Sequence, residues 1–140
     1  MATTAIVDAG PLVAFLDKAE AHHRWVVEQL KVLETPLLVC EAVLAESWHI
    51  LRGRPAAGDV LLSFLEEETL SVAFHIEDHL AEVRRLLRKY RDVPMSLADA
   101  CIVRMAEIHH RAAVFTLDSD FAIYRRDGRK PIALISPSTS

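Results

Sequence analysis

Four acidic residues that are far apart in the sequence stand where a carboxylate is locally unusual: Asp8, Glu46, Asp99 and Asp118. Asp8 and Asp118 each follow a short apolar run, whereas Glu46 and Asp99 lie beside the apolar faces of two predicted helices. Carboxylates that share a crevice repel one another unless a cation is present, and oxygen ligands favour Mg²⁺ or Mn²⁺ over zinc. The four residues therefore predict a divalent metal site, whose chemistry suits hydrolysis of a phosphodiester.

Asp8 and Glu46 each have a simpler explanation that stays open. Asp8 ends the first apolar run just before Gly10 and Pro11, where a helix is predicted to begin, so it is also a candidate helix cap. Glu46 lies one helical step from an apolar face, and a solvated surface glutamate is the alternative. Glu41 competes for the same role, but the helix dipole already explains an acidic residue in a first turn, so we prefer Glu46.

Asp99 shares a helical face with Ile102 and Val103 rather than with Glu107, and burying a lone carboxylate on such a face is unfavourable. The alternative is a capping box between Ser96 and Asp99, which needs no metal. The two roles are compatible, so Asp99 is a candidate ligand in either case.

Asp118 and Asp120 both follow the predicted strand at residues 112–117. Asp118 is nearer to the end of that strand and is therefore the preferred ligand, with Asp120 in reserve. A turn built from Asp and Ser residues is the alternative for either one.

The elements that must position these residues alternate between strands and helices. Strands are predicted at residues 3–8, 37–40, 70–74, 112–117 and 131–135, and helices after Gly10, at 21–33, 41–52, 59–67, 77–91 and 96–110. This alternation favours one α/β domain over residues 1–140, a three-layer α/β/α arrangement with a parallel sheet of about five strands. Ligands of such sheets bind beyond the carboxyl ends of the strands, and only residues 136–140 are expected to form a loose tail.

Composition limits the partners of the protein. A net charge of −4 over 140 residues excludes a protein that coats nucleic acid through its overall charge. A local cluster remains, and it predicts contact with RNA phosphates: Arg125, Arg126, Arg129 and Lys130. Because 51% of the residues are hydrophobic, a high share for a short chain, we expect part of the apolar surface to be covered in an oligomer or by a partner.

Cys40 and Cys101 have neither CxxC nor zinc-finger spacing, which is typical of a protein in a reducing compartment. No apolar run approaches the roughly 18 residues that a membrane span requires. The prediction is a cytoplasmic protein that does not insert into a membrane.

In four segments the chain resembles the PIN-domain family and, more narrowly, the VapC-type toxin ribonucleases. These segments are Ile6–Asp17, Ala45–Glu46, Leu97–Ala100 and Phe115–Phe121. Each is weak alone, but their order and spacing make the resemblance fairly specific, and together they extend over almost the whole chain.

The resemblance implies a parallel five-stranded sheet, Mg²⁺- or Mn²⁺-dependent cleavage of RNA, a homodimer and inhibition by a small antitoxin protein. The acidic positions of the family are matched by Asp8, Glu46, Asp99 and Asp118. Thr116 matches a hydroxyl residue that in the family lies beside the site.

Two positions depart from the pattern of the family. Ala9 stands where many relatives have Thr or Ser, and Cys40 stands where a hydroxyl residue is often found. Such positions supply hydrogen bonds around metal ligands rather than the ligands themselves. The alternative function is therefore a catalytically inert PIN-fold module that binds or regulates through a protein partner.

Overall fold

The computed structural model describes residues 3–137. The strands are β1 Thr3–Val7, β2 Leu33–Val39, β3 Leu70–Val72, β4 Ala113–Phe115, β5 Arg125–Arg126, β6 Lys130–Pro131 and β7 Leu134–Ile135. The α-helices are α1 Ala9–Leu16, α2 His23–Leu30, α3 Glu41–Ile50, α4 Pro55–Glu66, α5 Leu80–Lys89 and α6 Leu97–Ile108. Three short 3₁₀ segments lie at Leu51–Gly53, Ile76–His79 and Ser119–Ala122.

Five of the strands form one parallel sheet in the order β3-β2-β1-β4-β7. Consecutive residues of a strand point to opposite faces of a sheet. The β1 residues Ala5, Ile6 and Val7 are all fully buried, so both faces of the sheet are covered at its centre. The predicted α/β fold with a parallel sheet of about five strands is confirmed.

The second strand is longer than predicted, and the helix before it is shorter. The helix predicted at residues 21–33 ends at Leu30, and β2 already begins at Leu33. Pro36 therefore lies inside a strand. The pairing of β1 with β2 is irregular there, between Thr4↔Glu34 and Ile6↔Leu38, which is the kind of position where a strand tolerates a residue without an N–H.

Other boundaries differ from the prediction as well; the helix predicted at residues 77–91, for example, begins at Leu80 and ends at Lys89. Helix α4 begins at Pro55 rather than at residue 59, because proline suits the first position of a helix. The single strand predicted at residues 131–135 is divided: β6 pairs with β5 in a small antiparallel hairpin, and β7 continues into the main sheet.

The described chain ends close to the sheet. Ser136, the first residue of the predicted loose tail, is 5% exposed, and residues 138–140 lie outside the described part.

Within residues 3–137, none of the helices is both long and apolar enough to pass through a bilayer.

Candidate active site

The four acidic residues meet in one open pocket at the carboxyl edge of the sheet. Asp8 follows β1 and Asp118 follows the adjacent parallel strand β4, so both lie at the same edge. Glu46 reaches the pocket from α3 and Asp99 from the first turn of α6. The lining is Asp8, Ala9, Gly10, Glu46, Ile50, Asp99, Leu117 and Asp118.

Asp8 is both a helix cap and a member of this cluster. It is the N-cap of α1, where Oδ1 accepts a hydrogen bond of 2.8 Å from the Ala9 N–H, and Oδ2 accepts one of 2.7 Å from the Thr116 hydroxyl. Only 7% of the residue is exposed. Burial raises the pKa of Asp8 to about 6 despite these two hydrogen bonds, and the negative charges of Asp99 and Glu46 add to the rise.

Asp99 likewise combines both roles that its sequence context allows. It forms the predicted capping box with Ser96. The Asp99 N–H donates to Ser96 Oγ at 3.0 Å, and the Ser96 N–H donates to Asp99 Oδ2 at 3.4 Å. The same Oδ2 accepts a hydrogen bond of 3.0 Å from the Tyr124 hydroxyl. Burial is the main cause that raises the pKa of Asp99, and nearby Asp118 raises it further.

Asp118 caps the 3₁₀ segment that follows β4. Its Oδ1 accepts a hydrogen bond of 2.9 Å from the Asp120 N–H, and its own N–H donates one of 2.9 Å to Thr116 Oγ1. Asp120, the reserve candidate, lies inside that segment and is not among the residues that line the pocket.

Glu46 is the most exposed of the four acids, on α3. Desolvation, followed by the charges of Asp99 and Asp118, raises its pKa. Glu41, the competing candidate, is exposed in the first turn of the same helix and does not line the pocket. The choice of Glu46 over Glu41 therefore agrees with the placement of the two side chains.

The negative charge of this cluster has no positive partner in the described chain. Within residues 3–137, none of the four acids forms an ion pair with a lysine, arginine or histidine. Glu107, a buried acid elsewhere on α6, pairs with both Arg85 and Arg104. Neighbouring carboxylates without a counter-charge favour the binding of a cation.

The donor set of four carboxylates fits a hard divalent cation. Among residues 3–137, no three His, Cys, Asp or Glu side chains are arranged so that they could hold an ion together. Mg²⁺ in phosphoryl-transfer sites commonly uses one or two carboxylates, with water and substrate phosphates as its other ligands. Two of the four carboxylates would be enough for that mode, and a third carboxylate ligand would require a side chain to move.

The predicted RNA-binding cluster divides into two kinds of residue. One guanidinium nitrogen of Arg125 donates to the carbonyls of Ala122, Ile123 and Tyr124, and one of Arg126 donates to the carbonyl of His110 at 3.1 Å, beyond the end of α6. These two arginines thus hold the hairpin and helix ends. Arg129 and Lys130 are exposed.

The C-terminal end of α6 is also far from the acidic pocket. Asp99 and Ile108, the last residue of α6, are nine positions apart, about 14 Å along a helix, and His110 lies beyond that end. Since Arg126 binds at the His110 end, its guanidinium group lies well away from the carboxylates. RNA contact by the four basic residues stays a prediction, with Arg129 and Lys130 as the members whose side chains are exposed.

The two departures from the family pattern have local replacements. Ala9 lacks a hydroxyl, but its backbone N–H occupies Oδ1 of Asp8. Cys40 is buried next to Cys101, and a hydrogen bond between the two thiols lowers the pKa of Cys40. Neither substitution leaves an oxygen of Asp8 without a hydrogen-bond donor, because Thr116 serves the second oxygen.

Sequence reasoning missed one residue of the site. Tyr124 has a fully buried ring, and its hydroxyl contacts Asp99. The two residues are 25 positions apart, and no local pattern connects them. Only the packing of the β4–β5 connection against α6 brings them together.

Comparisons with known proteins agree with this fold. The model of the PIN domain family matches residues 5–127. Ribonuclease VapC26 of Mycobacterium tuberculosis is 28% identical over 117 residues, which cover 81% of this chain and 85% of that protein. The crystal structure of VapC20 from Mycobacterium tuberculosis, a toxin that cleaves the sarcin-ricin loop, superposes with a TM-score of 0.77 at 16% identity, over 86% of this chain and 94% of that one. At that identity the superposition shows a shared fold.

Proposed function

This chain belongs to the PIN domain family, and from that premise we propose that it is a divalent-metal-dependent endoribonuclease that hydrolyses RNA phosphodiester bonds. The observation that carries the proposal is the pocket at the carboxyl edge of the sheet, where four acids converge without a positive partner among residues 3–137. The name of the relative VapC26, a ribonuclease, supports RNA as the substrate.

Asp8 and Asp99 are the residues that would hold Mg²⁺ or Mn²⁺, with Asp118 or Glu46 as a further ligand. Both oxygens of Asp8 accept one hydrogen bond each, which fixes the carboxylate and leaves each oxygen a free lone pair. The bound ion supplies positive charge that activates water and stabilises the developing charge on the phosphate.

The protein residues orient the site before RNA arrives. Thr116 and the Ala9 N–H hold Asp8, while Ser96 and Tyr124 hold Asp99. Preorganised groups of this kind avoid a reorganisation cost during the reaction.

Glu46 is suited to accept a proton. Its carboxylate has no hydrogen-bond or ion-pair partner among residues 3–137, and desolvation and neighbouring acids raise its pKa above the usual range. With Asp118 as the third ligand, the carboxylate of Glu46 is left free of the ion, and one of its oxygens is proposed to take the proton of the attacking water.

The protein is further proposed to be the toxin of a type II toxin–antitoxin pair, a homodimer inhibited by a small antitoxin protein. Its likeness to two VapC proteins supports this assignment. So does its surface, because an apolar groove is lined by side chains such as Pro11, Phe15, Leu30 and Phe64. Trp48 adds a large apolar side chain that is half exposed. Exposed apolar surface of this kind is typical of protein interfaces.

RNA cleavage by the purified protein, freed of any partner, tests the enzymatic proposal. We expect structured RNA to be cut with Mg²⁺ or Mn²⁺ and to remain intact with a chelator. Asp8→Asn and Asp99→Asn are each expected to lower the rate at least about 100-fold, because each removes a ligand charge.

Glu34→Gln is the matched control for the two site variants. Glu34 is an exposed acid that pairs with Thr4 near the amino ends of β1 and β2. About 20 Å of strand separates it from position 40, at the carboxyl edge of the sheet where the acidic pocket lies. Its replacement is expected to leave cleavage unchanged. Equal cleavage by wild type and both site variants would contradict the proposal, and a wild type that binds a protein partner but cuts no RNA would favour the inert module.

A further inference from the structure

We propose that Tyr124 is a positioning residue for metal binding, which holds Asp99 so that one of its oxygens faces the pocket. The inference rests on the proposed metal site and names a residue to which neither the sequence nor the family resemblance gives this role. Its basis is one buried hydroxyl group and the carboxylate that accepts a hydrogen bond from it.

The two oxygens of Asp99 have different surroundings. Oδ2 accepts the Tyr124 hydroxyl at 3.0 Å and, more weakly, the Ser96 N–H at 3.4 Å. None of the hydrogen bonds within residues 3–137 uses Oδ1. Asp99 also lines the acidic pocket, so Oδ1 is the oxygen that remains for a cation.

The Tyr124 ring is held firmly enough to orient another group. It is 0% exposed and packs edge-on against Phe121 at a centroid distance of 5.2 Å and against Tyr90 at 5.0 Å. The Tyr90 hydroxyl accepts a hydrogen bond of 2.8 Å from the N–H of Arg125, the residue that follows Tyr124. Ring and backbone are thus both anchored, and the hydroxyl has little freedom to leave Asp99.

The choice of acceptor distinguishes positioning from simple packing. A buried tyrosine hydroxyl needs a hydrogen-bond partner, and many such groups use a backbone carbonyl. Tyr124 instead bonds a carboxylate that shares its pocket with three other acids. A hydrogen bond from a buried ring that cannot turn away limits the orientations that the Asp99 carboxylate can adopt.

Direct measurement of Mn²⁺ binding to the full chain by titration calorimetry tests this role without reference to RNA cleavage. Tyr124→Phe keeps the ring and removes the hydroxyl, and we expect its Kd for Mn²⁺ to rise by about 10- to 100-fold, the range seen when groups behind metal ligands are removed. Ser63→Ala is the control, since it removes a hydroxyl that donates to the Val60 carbonyl and contacts none of the four acids. Its Kd is expected to stay within about twofold of wild type.

A second comparison asks whether the effect passes through Asp99. In the Asp99→Asn background, adding Tyr124→Phe is expected to change the Kd by less than about twofold, because coupled residues do not act additively. The full additional loss in that background would contradict the inference.

The remaining outcomes are also decisive. Equal Mn²⁺ affinity of wild type and Tyr124→Phe overturns the inference alone and leaves the proposed ribonuclease standing. A wild type that neither binds Mn²⁺ nor cuts RNA overturns both. A Tyr124→Phe chain that is unfolded by circular dichroism overturns the inference, because the hydroxyl would then serve the fold rather than the site.

Discussion

The hydroxyl of Thr116 donates a hydrogen bond of 2.7 Å to Oδ2 of Asp8. The hydroxyl oxygen of Thr116 also accepts a bond of 2.9 Å from the N–H of Asp118. Thr116 is fully buried directly after β4, the strand that pairs with β1. One hydroxyl group therefore connects the two strand-end aspartates and sets how they face each other.

Thr116→Val should weaken both the fold and the site. Valine has the shape of threonine but leaves a buried oxygen of Asp8 and the Asp118 N–H without their partner, so we expect a loss of about 1–3 kcal/mol in the free energy of unfolding at neutral pH. RNA cleavage should fall by about tenfold or more. Urea unfolding and cleavage assays measure the two effects. Thr116→Ser, which keeps the hydroxyl, is the control and should retain most of both.

Asp8→Asn should stabilise the metal-free protein at neutral pH while it removes activity. The folded pKa of Asp8, about 6, lies above its ordinary value of 3.8, so folding favours the protonated form. The contribution of Asp8 to stability is fully present below about pH 4 and is lost as the pH rises through about 6, a change of at most about 3 kcal/mol. Asparagine does not titrate, so its advantage over wild type should grow across this range.

Unfolding by urea in the presence of a chelator, at several pH values, measures that difference. Glu34→Gln, at an exposed site that does not line the pocket, is the control. Mg²⁺ at 100 times its Kd should cancel most of the advantage of Asp8→Asn, since it stabilises wild type by about 2.7 kcal/mol and the variant by less. A stability difference that is constant from about pH 4 to about pH 7 would show that Asp8 is not desolvated as the structure indicates.

The residues at strand ends were predictable because their positions depend on local patterns. An apolar run followed by a turn and a proline is enough to place Asp8 at a sheet edge, and parallel strands put Asp118 at the same edge. The capping box of Ser96 and Asp99 is visible in sequence for the same reason.

Contacts that depend on tertiary packing were not predictable. Glu107 was expected on the polar side of its helix, yet it is 5% exposed, because α5 supplies Arg85 and the hairpin supplies the Asp127 N–H as partners. The sequence shows the residue types of such a network but does not show which surfaces cover one another. The contact between Tyr124 and Asp99 was missed for the same reason.

Gly10→Ala should lower activity more than stability. A Cβ at position 10 would lie 3.2 Å from Cβ of Leu117, so the segment between Thr116 and Asp118 would have to shift by a few tenths of an ångström. Alanine gains up to about 1 kcal/mol of helix propensity, which offsets the contact, and the net change in stability should be within about 1 kcal/mol. Cleavage should fall by up to about tenfold, since small displacements of reacting groups slow catalysis.

Gly53→Ala is the control for this prediction. A Cβ at position 53 would lie in open space, with no heavy atom within 4 Å, so neither stability nor cleavage should fall. A Gly10→Ala variant with full activity would show that the Leu117 segment can adjust without moving Asp118.

In the predicted RNA-binding cluster, we expect Arg126 to stabilise the fold and Arg129 to bind RNA. Arg126→Gln should lower the free energy of unfolding by about 1–2 kcal/mol, because Arg126 donates to the His110 carbonyl beyond the end of α6. Arg129→Gln, at an exposed position, should change stability by less than about 0.5 kcal/mol. If Arg129 contacts a phosphate, Arg129→Gln should also make the salt dependence weaker: the slope of log K against log salt, where K is the association constant for single-stranded RNA, should become shallower by about 0.7. Fluorescence anisotropy in the Asp99→Asn background, where RNA stays intact, measures that slope. The opposite pattern, a slope change for Arg126→Gln at unchanged stability, would place the RNA path along α6 instead.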